Sequence, residues 1–271
     1  PMLKLNSPVN QGLLELAYLP VFTPDEIPQS GAWTPAEVQT LLTLPMATTI
    51  TEEETEDLAH SQFAFRFARS YGLFDLGAVY YLGFYRQPTV IIEPTYIKLN
   101  YDQVNMFGLD GAAALGGVNL RGELAWFMTQ DYQGDDPELR NGELRWVGGF
   151  DLDLPISELN LNLQESGTLL LDYLEIDDNG TADVQAEERL TRNILILNLS
   201  DSWGNATLTP ELTVLYGIEE RDWVVRPEFA AVIDDDFEIR LVGAFYAGGE
   251  EDFFGQFDGN DFIELSLAYS F

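Results

Sequence analysis

The chain has 271 residues, 46% of them hydrophobic, with no cysteine and a single histidine. That length fits one large β domain or two ordinary ones, and the lack of cysteine excludes disulfides, thiolate metal sites and cysteine nucleophiles together. Acidic residues number 46 against 13 basic ones, for a formal net charge of −33, and Lys4 and Lys98 are the only lysines. A nucleic-acid partner is therefore not expected, because phosphate neutralisation needs a basic surface. The acidity serves solubility in a salty habitat or a field that draws cations.

No stretch approaches 18 uncharged apolar residues, so no transmembrane helix is expected. A membrane is not thereby excluded. A barrel strand needs only about 9–11 residues and turns every second one to lipid. No signal peptide is legible, so a secreted chain would be mature or truncated at Pro1.

In chain order, the first candidate strand lies near 12–22. The longest connection, 23–59, follows. Within it Thr34-Pro35-Ala36-Glu37 reads as a capping box with proline at the first helical position, leading into Val38, Leu41 and Leu42. A short helix is expected there, lying in the loop or folding over a mouth.

Further strands are expected near 60–70, 74–85, 101–114, 117–128, 143–152, 158–175, 191–199, 205–216, 223–233, 237–246 and 260–271, about 12 in all. Their dominant period is two. In Val118 to Met128, Val118, Leu120, Leu124, Trp126 and Met128 oppose Asn119, Arg121, Glu123, Ala125 and Phe127. Leu144, Trp146, Phe150 and Leu152 oppose Glu143, Arg145 and Asp151. In the last segment Ile263, Leu265, Leu267, Tyr269 and Phe271 oppose Glu264, Ser266, Ala268 and Ser270. Successive strand side chains point to opposite faces, so each of these strands has one apolar and one polar side.

The connections alternate in length. Residues 71–73, 115–116, 153–157, 200–204 and 234–236 are short. Residues 23–59, 86–100, 129–142, 176–190 and 247–259 are long, with 217–222 between. This segregation predicts an all-β, antiparallel transmembrane β-barrel with short periplasmic turns and long extracellular loops, and residues 1–271 as one domain. The long connections are also the acidic ones, with Glu52, Glu53, Glu54, Glu56 and Asp57 in the first and Glu250, Glu251 and Asp252 in the last. Loops are normally solvated, so charge there needs no special function.

The terminal Tyr269-Ser270-Phe271, after alternating apolar residues, resembles the C-terminal targeting signal of bacterial outer-membrane proteins. That resemblance implies recognition of the last strand, through Tyr269 and Phe271, by the barrel-assembly machinery. Tyr18, Phe22, Tyr80, Phe84, Trp126, Trp146, Tyr216, Trp223 and Phe245 stand where the aromatic girdles of a membrane barrel would. The block Leu16 to Pro24, with Ile27-Pro28 and Trp33, and the ending Phe254 to Asp261 resemble segments of poorly characterised porin-like outer-membrane proteins. The resemblance covers both ends of the chain and is loose in the middle. It implies a cell outer membrane of a Gram-negative bacterium, contact with membrane lipid and lipopolysaccharide, further strands before the first block, and a possible homo-oligomer.

For chemistry the residues offer little. His60 is the single histidine and Ser61 is adjacent, hence on the opposite face of a strand, so no Ser-His-carboxylate arrangement stands apart from His60. An enzyme is not expected, and His60 is read as a strand-end polar residue. Asp177-Asp178-Asn179-Gly180 with Asp183, and Asp258 with Asn260 and Asp261, offer oxygen ligands that would suit calcium. Neither set has calcium-loop spacing, and turn formation explains them equally, so no cofactor is expected. If the apolar faces meet lipid, Arg121, Glu123, Glu143, Arg145, Glu211, Arg226, Glu228, Glu238, Arg240 and Glu264 line a lumen. Charge of both signs suits a water-filled interior, and also a closed lumen knitted by ion pairs. The leading expectation is a porin-like channel for passive diffusion of ions or small polar solutes with weak cation preference. The alternatives are a non-conducting surface protein that binds through its acidic loops and, further off, a barrel hydrolase.

Overall fold

The two-residue alternation becomes a single antiparallel sheet in the computed structural model, which describes residues 2–234 and 236–269. Ser270 and Phe271, the end of the expected assembly signal, lie outside the described residues. The elements in chain order are β1 (Leu3–Val9), β2 (Gly12–Leu19), α1 (Ala36–Thr43), β3 (Ile50–Glu52), β4 (Gln62–Tyr71), β5 (Phe74–Phe84), β6 (Thr89–Ile92), β7 (Ile97–Asn100) and β8 (Gln103–Leu115). They continue with β9 (Val118–Met128), β10 (Glu143–Asp153), β11 (Asn160–Leu170), α2 (Tyr173–Asn179), β12 (Thr191–Ser200), β13 (Leu208–Gly217), β14 (Trp223–Asp234), β15 (Phe237–Ala247) and β16 (Phe262–Tyr269).

Thirteen strands form the large sheet in the order β1-β2-β4-β5-β8-β9-β10-β11-β12-β13-β14-β15-β16, each paired antiparallel with the next in sequence among them. A second, three-stranded sheet, β3-β7-β6, is built inside two of the long connections. All twelve expected strands are present, and β1 is a thirteenth. The segment expected as strand over 158–175 ends at Leu170: Asp172 takes a left-handed conformation (φ 53°) and α2 begins at Tyr173. The helix expected at Thr34 starts at Ala36, but the capping box does not form. Thr34 is buried with no hydrogen bond to its hydroxyl. The amide of Ala36 donates instead to Gln256 Oε1 at 2.9 Å, a residue of the last long connection.

The connections sort by end of the sheet. Two-residue turns join β1 to β2 through Asn10 and Gln11, both at positive φ, and β8 to β9 through Gly116 and Gly117. Positive φ at both central residues matches turn twist to strand twist, and glycine adopts it without strain. The short links 72–73, 154–159 and 201–207 lie at the same end, where β14 also ends and β15 begins. The long ones, 20–61, 85–102, 129–142, 171–190 and 248–261, lie at the other, with 218–222 among them.

Register places residues on faces without ambiguity. Paired residues share a face, and pairing runs from β1 to β16 with one register shift in β14, between Val232 and Asp234. The row Phe107, Trp126, Leu144 and Leu169 is one example, and Leu199, Leu212, Pro227 and Gly243 fall on the same side. On this apolar face the only charged side chains of the described strands are Arg69 and Glu165. Arg69 lies close to the short-turn end, over the Tyr71 ring at 4.4 Å. Glu165, in mid-strand, accepts from Trp146 Nε1 at 2.8 Å. The opposite face holds the remaining strand charges whose side chains are described.

The apolar face is bare. Leu109 is 62% exposed, Leu265 62% and Ile263 69%. The buried apolar residues, among them Phe22, Ile97, Tyr101, Val104, Leu170 and Phe254, gather at the long-loop end, where the connections pack on the sheet. Phe22, expected in an aromatic girdle, belongs to this cluster: it is 1% exposed and packs on Phe84 and Tyr101, with ring centroids 5.5 and 5.3 Å away. The other expected girdle aromatics on described strands, Tyr18, Tyr80, Phe84, Trp126, Trp146, Tyr216, Trp223, Phe245 and Tyr269, all fall on the apolar face by register.

Trp146 lies flat over Gly167 of β11. A Cβ there would stand 2.2 Å from the indole, whereas at Gly148 nothing lies within 4 Å. Gly167→Val therefore displaces the indole and should destabilise the sheet by about 1–3 kcal/mol. Gly148→Ala should stay within about 0.5 kcal/mol of the wild type. Reversible urea unfolding followed by tryptophan fluorescence measures both.

Candidate functional site: the polar face and its loop-end rim

The polar face is a wall of cross-strand contacts. All ten residues expected to line a lumen lie on it: Arg121 and Glu123 on β9, Glu143 and Arg145 on β10, Glu211 on β13, Arg226 and Glu228 on β14, Glu238 and Arg240 on β15, and Glu264 on β16. The structure brings them together pairwise. Arg121 meets Asp151 at 3.0 Å, and Arg145 meets Glu143 at 2.5 Å. Glu228 receives two arginines, Arg240 at 2.6 Å and Arg226 at 3.8 Å. Glu211 accepts from Asn198 Nδ2 at 2.7 Å, and Glu264 from Ser266 Oγ at 2.9 Å.

The sequence reading missed part of this wall. On β11, Asn160, Asn162 and Gln164 share the polar face. Gln164 Nε2 donates to Asn162 Oδ1 at 2.8 Å, and Asn162 pairs directly with Asn198 of β12. Their alternation with Leu161 and Leu163 carried the signal. On the β1 side, Arg66 holds Glu15 at 3.4 Å and Asp110 at 2.9 Å, and Lys4 holds Glu15 at 2.7 Å. Carboxylates outnumber cations on the face, and Arg121, Arg145, Arg226 and Arg240 are each engaged by an acid. Among the described residues, Glu123, Glu211, Glu238 and Glu264 have no cation within ion-pair distance, so the described excess on this wall is negative.

At the long-loop end the face is covered. Tyr85 donates to Glu143 at 2.9 Å, and Arg145 lies over the Phe127 ring at 4.7 Å. Arg140, from the β9–β10 connection, donates through Nε to Thr89 Oγ1 at 3.2 Å and through a terminal nitrogen to the Pro88 carbonyl at 3.2 Å. The Asn141 backbone amide donates to Gln185 Oε1 at 2.5 Å and its Nδ2 donates to the Leu171 carbonyl at 3.1 Å, which ties the β9–β10 and β11–β12 connections together. Burial raises the Tyr85 hydroxyl well above its ordinary range, reinforced by Glu143. Burial also raises Glu188, against the pull of Arg140.

His60 falls two residues before β4, in a tight turn over Leu58–His60, and is buried. Its Nδ1 lies 2.7 Å from Asp57 Oδ1 and its Nε2 3.3 Å from Glu53 Oε1, while the ring packs on Phe84 with centroids 4.9 Å apart. Ser61 Oγ donates to the Leu58 carbonyl at 2.6 Å and contacts the Tyr18 hydroxyl at 3.2 Å. His60 is thus a latch between the β3 segment and the rim, with two acids as partners rather than a hydroxyl.

Three of the residues considered for calcium make hydrogen bonds within the chain. Asp183 accepts from the Gln185 amide at 2.7 Å, Asp261 accepts from the Tyr246 amide at 2.8 Å, and Asn260 donates to the Ala32 carbonyl at 2.5 Å. Among the described residues no three acidic or histidine side chains converge as a metal site. Compared with known proteins, the chain matches no family model and no curated protein.

Burial alone would lower the pKa of His60, but the Asp57 and Glu53 carboxylates outweigh it and hold the imidazole above its usual value. The sign follows from linkage. The latch is fully stabilising below the unfolded histidine value near 6.5 and is lost as pH rises through the higher folded value. Amide exchange of the Thr49–His60 segment should therefore speed up as pH rises through that range, beyond its intrinsic pH dependence. His60→Gln should abolish that extra step, as measured by hydrogen exchange with mass spectrometry.

Proposed function

We propose that this chain forms the wall of a β-barrel in an outer membrane of Gram-negative type and conducts ions or small polar solutes passively, with weak preference for cations. One observation carries the reading: the thirteen strands of the large sheet expose an apolar face on which, among the described side chains, Arg69 and Glu165 are the only charges, and no second layer of described residues covers it. A monomeric soluble protein rarely exposes a contiguous apolar patch beyond a few hundred Å². Lipid is the solvent that such a face fits, and the sorting of short and long connections to opposite ends supports the same orientation. The aromatic residues of the apolar face then meet the interfaces, and the last strand is offered to the assembly machinery. Outer-membrane lipid and lipopolysaccharide are the surroundings.

A barrel must close, because an open edge in lipid leaves backbone groups without partners. Each of the thirteen strands runs opposite to the one before, so β1 and β16 run in the same direction. Closure takes either a parallel β1–β16 seam or an odd number of strands between them. The polar face becomes the lumen, where acids without cation partners favour cations and arginines held by Glu228 set a local transverse field. The loop-end network of Arg140, Asn141 and Gln185 favours a narrowed mouth. It also favours a second reading, a surface protein with a sealed lumen that acts through its acidic loops.

Planar-bilayer recordings of the detergent-purified chain under a salt gradient separate the two. The channel reading expects steady openings with a reversal potential on the cation side, and silence from folded, inserted protein supports the sealed surface protein. Glu228→Gln, which frees both Arg226 and Arg240, should shift the reversal potential toward anions more than Glu238→Gln does.

The lipid assignment has its own test. Leu124→Arg, on the apolar face near mid-strand, should destabilise the barrel in vesicles by about 2–4 kcal/mol. Ala125→Arg, one residue on and facing the lumen, should cost clearly less. Urea titration in lipid vesicles reads the difference.

A further inference from the structure

The first long connection reaches the far end of the sheet. Its start stands on the β5–β8 side: the Asp25 amide donates to the Arg86 carbonyl at 3.0 Å, and Phe22 packs on Phe84 and Tyr101. Its end stands on the same side: β3 pairs with β7, and Glu53 is held by His60 and by the Tyr101 amide. Between these two feet, residues 31–44 meet the last long connection. Asn260 Nδ2, 228 positions along the chain, donates to the Ala32 carbonyl at 2.5 Å. The Ala36 amide donates to Gln256 Oε1 at 2.9 Å. The Trp33 ring stands edge-on to Tyr246, with centroids 5.8 Å apart, and 5.6 Å from the Phe257 ring.

These contacts require a curled sheet. From Asp25 to Ala32 is seven residues, a reach of about 25 Å at most. The chain also turns at Gly31, where the Thr34 amide donates back to the Gly31 carbonyl at 3.3 Å. In a flat sheet β5 and β16 would stand nine strand spacings apart, about 43 Å. The two flanks are therefore drawn together at the long-loop end. Phe245 belongs to the apolar face, so its neighbour Tyr246 belongs to the polar one. Trp33 thus rests on the polar side, at the loop-end opening.

The fastening is slight. α1 buries no residue, and Trp33 is 46% exposed. Thr34 is buried with no hydrogen bond to its hydroxyl among the described residues, a cost that falls on the fastened form alone. Segments with few buried apolar contacts open locally long before the sheet does. We propose that residues 31–44 are a flap over the loop-end mouth, footed on the β5–β8 side and clasped through Trp33 to the last connection, and that release of the clasp widens the path to the polar face. The flap itself stands apart from conduction, whereas its effect on passage rests on the channel reading.

Hydrogen exchange with mass spectrometry on the folded, detergent-solubilised chain tests the flap. Trp33→Ala should speed exchange of the Ala36–Thr43 amides at least fivefold and leave those of β4 and β5 unchanged. Asn260→Ala, which removes one hydrogen bond and no ring, should act in the same direction. Ala32→Cys with Asn260→Cys, joined by a short bifunctional thiol reagent, should slow the same amides at least fivefold, with no native cysteine to compete. Planar-bilayer recordings of wild type, Trp33→Ala and the cross-linked form test the effect on passage. Unit conductance should rise in Trp33→Ala and fall in the cross-linked form. Exchange alike in all forms, or a change spread equally over β4 and β5, would overturn the flap. Openings of equal size in all forms would overturn its control of passage. Silence from every form, with exchange changed as expected, would refute the channel reading and leave the flap supported.

Discussion

A strand has two faces, and in this sheet each face is suited to a different solvent. The backbone ladder satisfies N–H and C=O groups from β1 through β16, so side chains alone decide what each face can touch. A slip of one residue at any pairing would move a row of leucines to the polar side and a row of acids to the apolar side. Register is therefore the constraint on which the rest depends. It places Glu123 beside Arg121 yet one face away from Leu124, and it sets Trp126, Leu144 and Leu169 in one row across β9, β10 and β11.

The two exceptions on the apolar face fit the same logic. Arg69 sits close to the short turns, at the end of the face, and its guanidinium rests on Tyr71. Glu165 is placed deeper and has the Trp146 indole N–H as its donor. Aligning that indole requires glycine at 167, so a polar atom in an apolar row is satisfied at the expense of a side chain on the neighbouring residue row. Conversely, the loop end is the one region with a conventional core. There Phe22, Ile97 and Tyr101 bury apolar surface, and polar groups such as Asp102 and Asn141 are fastened across several connections.

Most of the large sheet was legible because period-two alternation repeats over ten or more residues, and because short and long links alternate. What escaped had weaker physics behind it. In β1, Leu3 and Leu5 alternate with Lys4 and Asn6 for only a few residues before Pro8, and proline inside a run marks an edge strand, which β1 is. The strands of the small sheet are three or four residues long, and β3 pairs in parallel with β7 some 47 residues away, from Ile50 to Ile97. No local pattern announces such a pairing. The run Leu169-Leu170-Leu171 reads as continuing strand, yet the left-handed Asp172 turns it into α2. At the candidate site, alternation was enough to assign the ten residues expected to line a lumen to one face of the sheet. It was not enough to reveal that Glu228 serves two arginines or that His60 bridges two acids, because the Glu228–Arg240 and His60–Glu53 contacts join residues 12 and 7 positions apart that only the folded chain brings together.

The rim and the wall then divide the labour. The wall's unpaired acids set a broad negative field, which weakens with salt, whereas the rim fixes a few acids in defined geometry behind Arg140 and His60. In the proposed function both depend on the sheet standing between lipid and water. Because the chain has no cysteine, single cysteines along β9 test that directly in lipid vesicles, with a membrane-impermeant maleimide and a lipid-borne quencher of an attached fluorophore. The account predicts that cysteines at Asn119, Arg121 and Glu123 react with the maleimide from water, while those at Leu120, Leu124 and Trp126 resist it and are quenched from the lipid. Equal behaviour of the two sets, or a chain that stays folded in water without lipid or detergent, would contradict it.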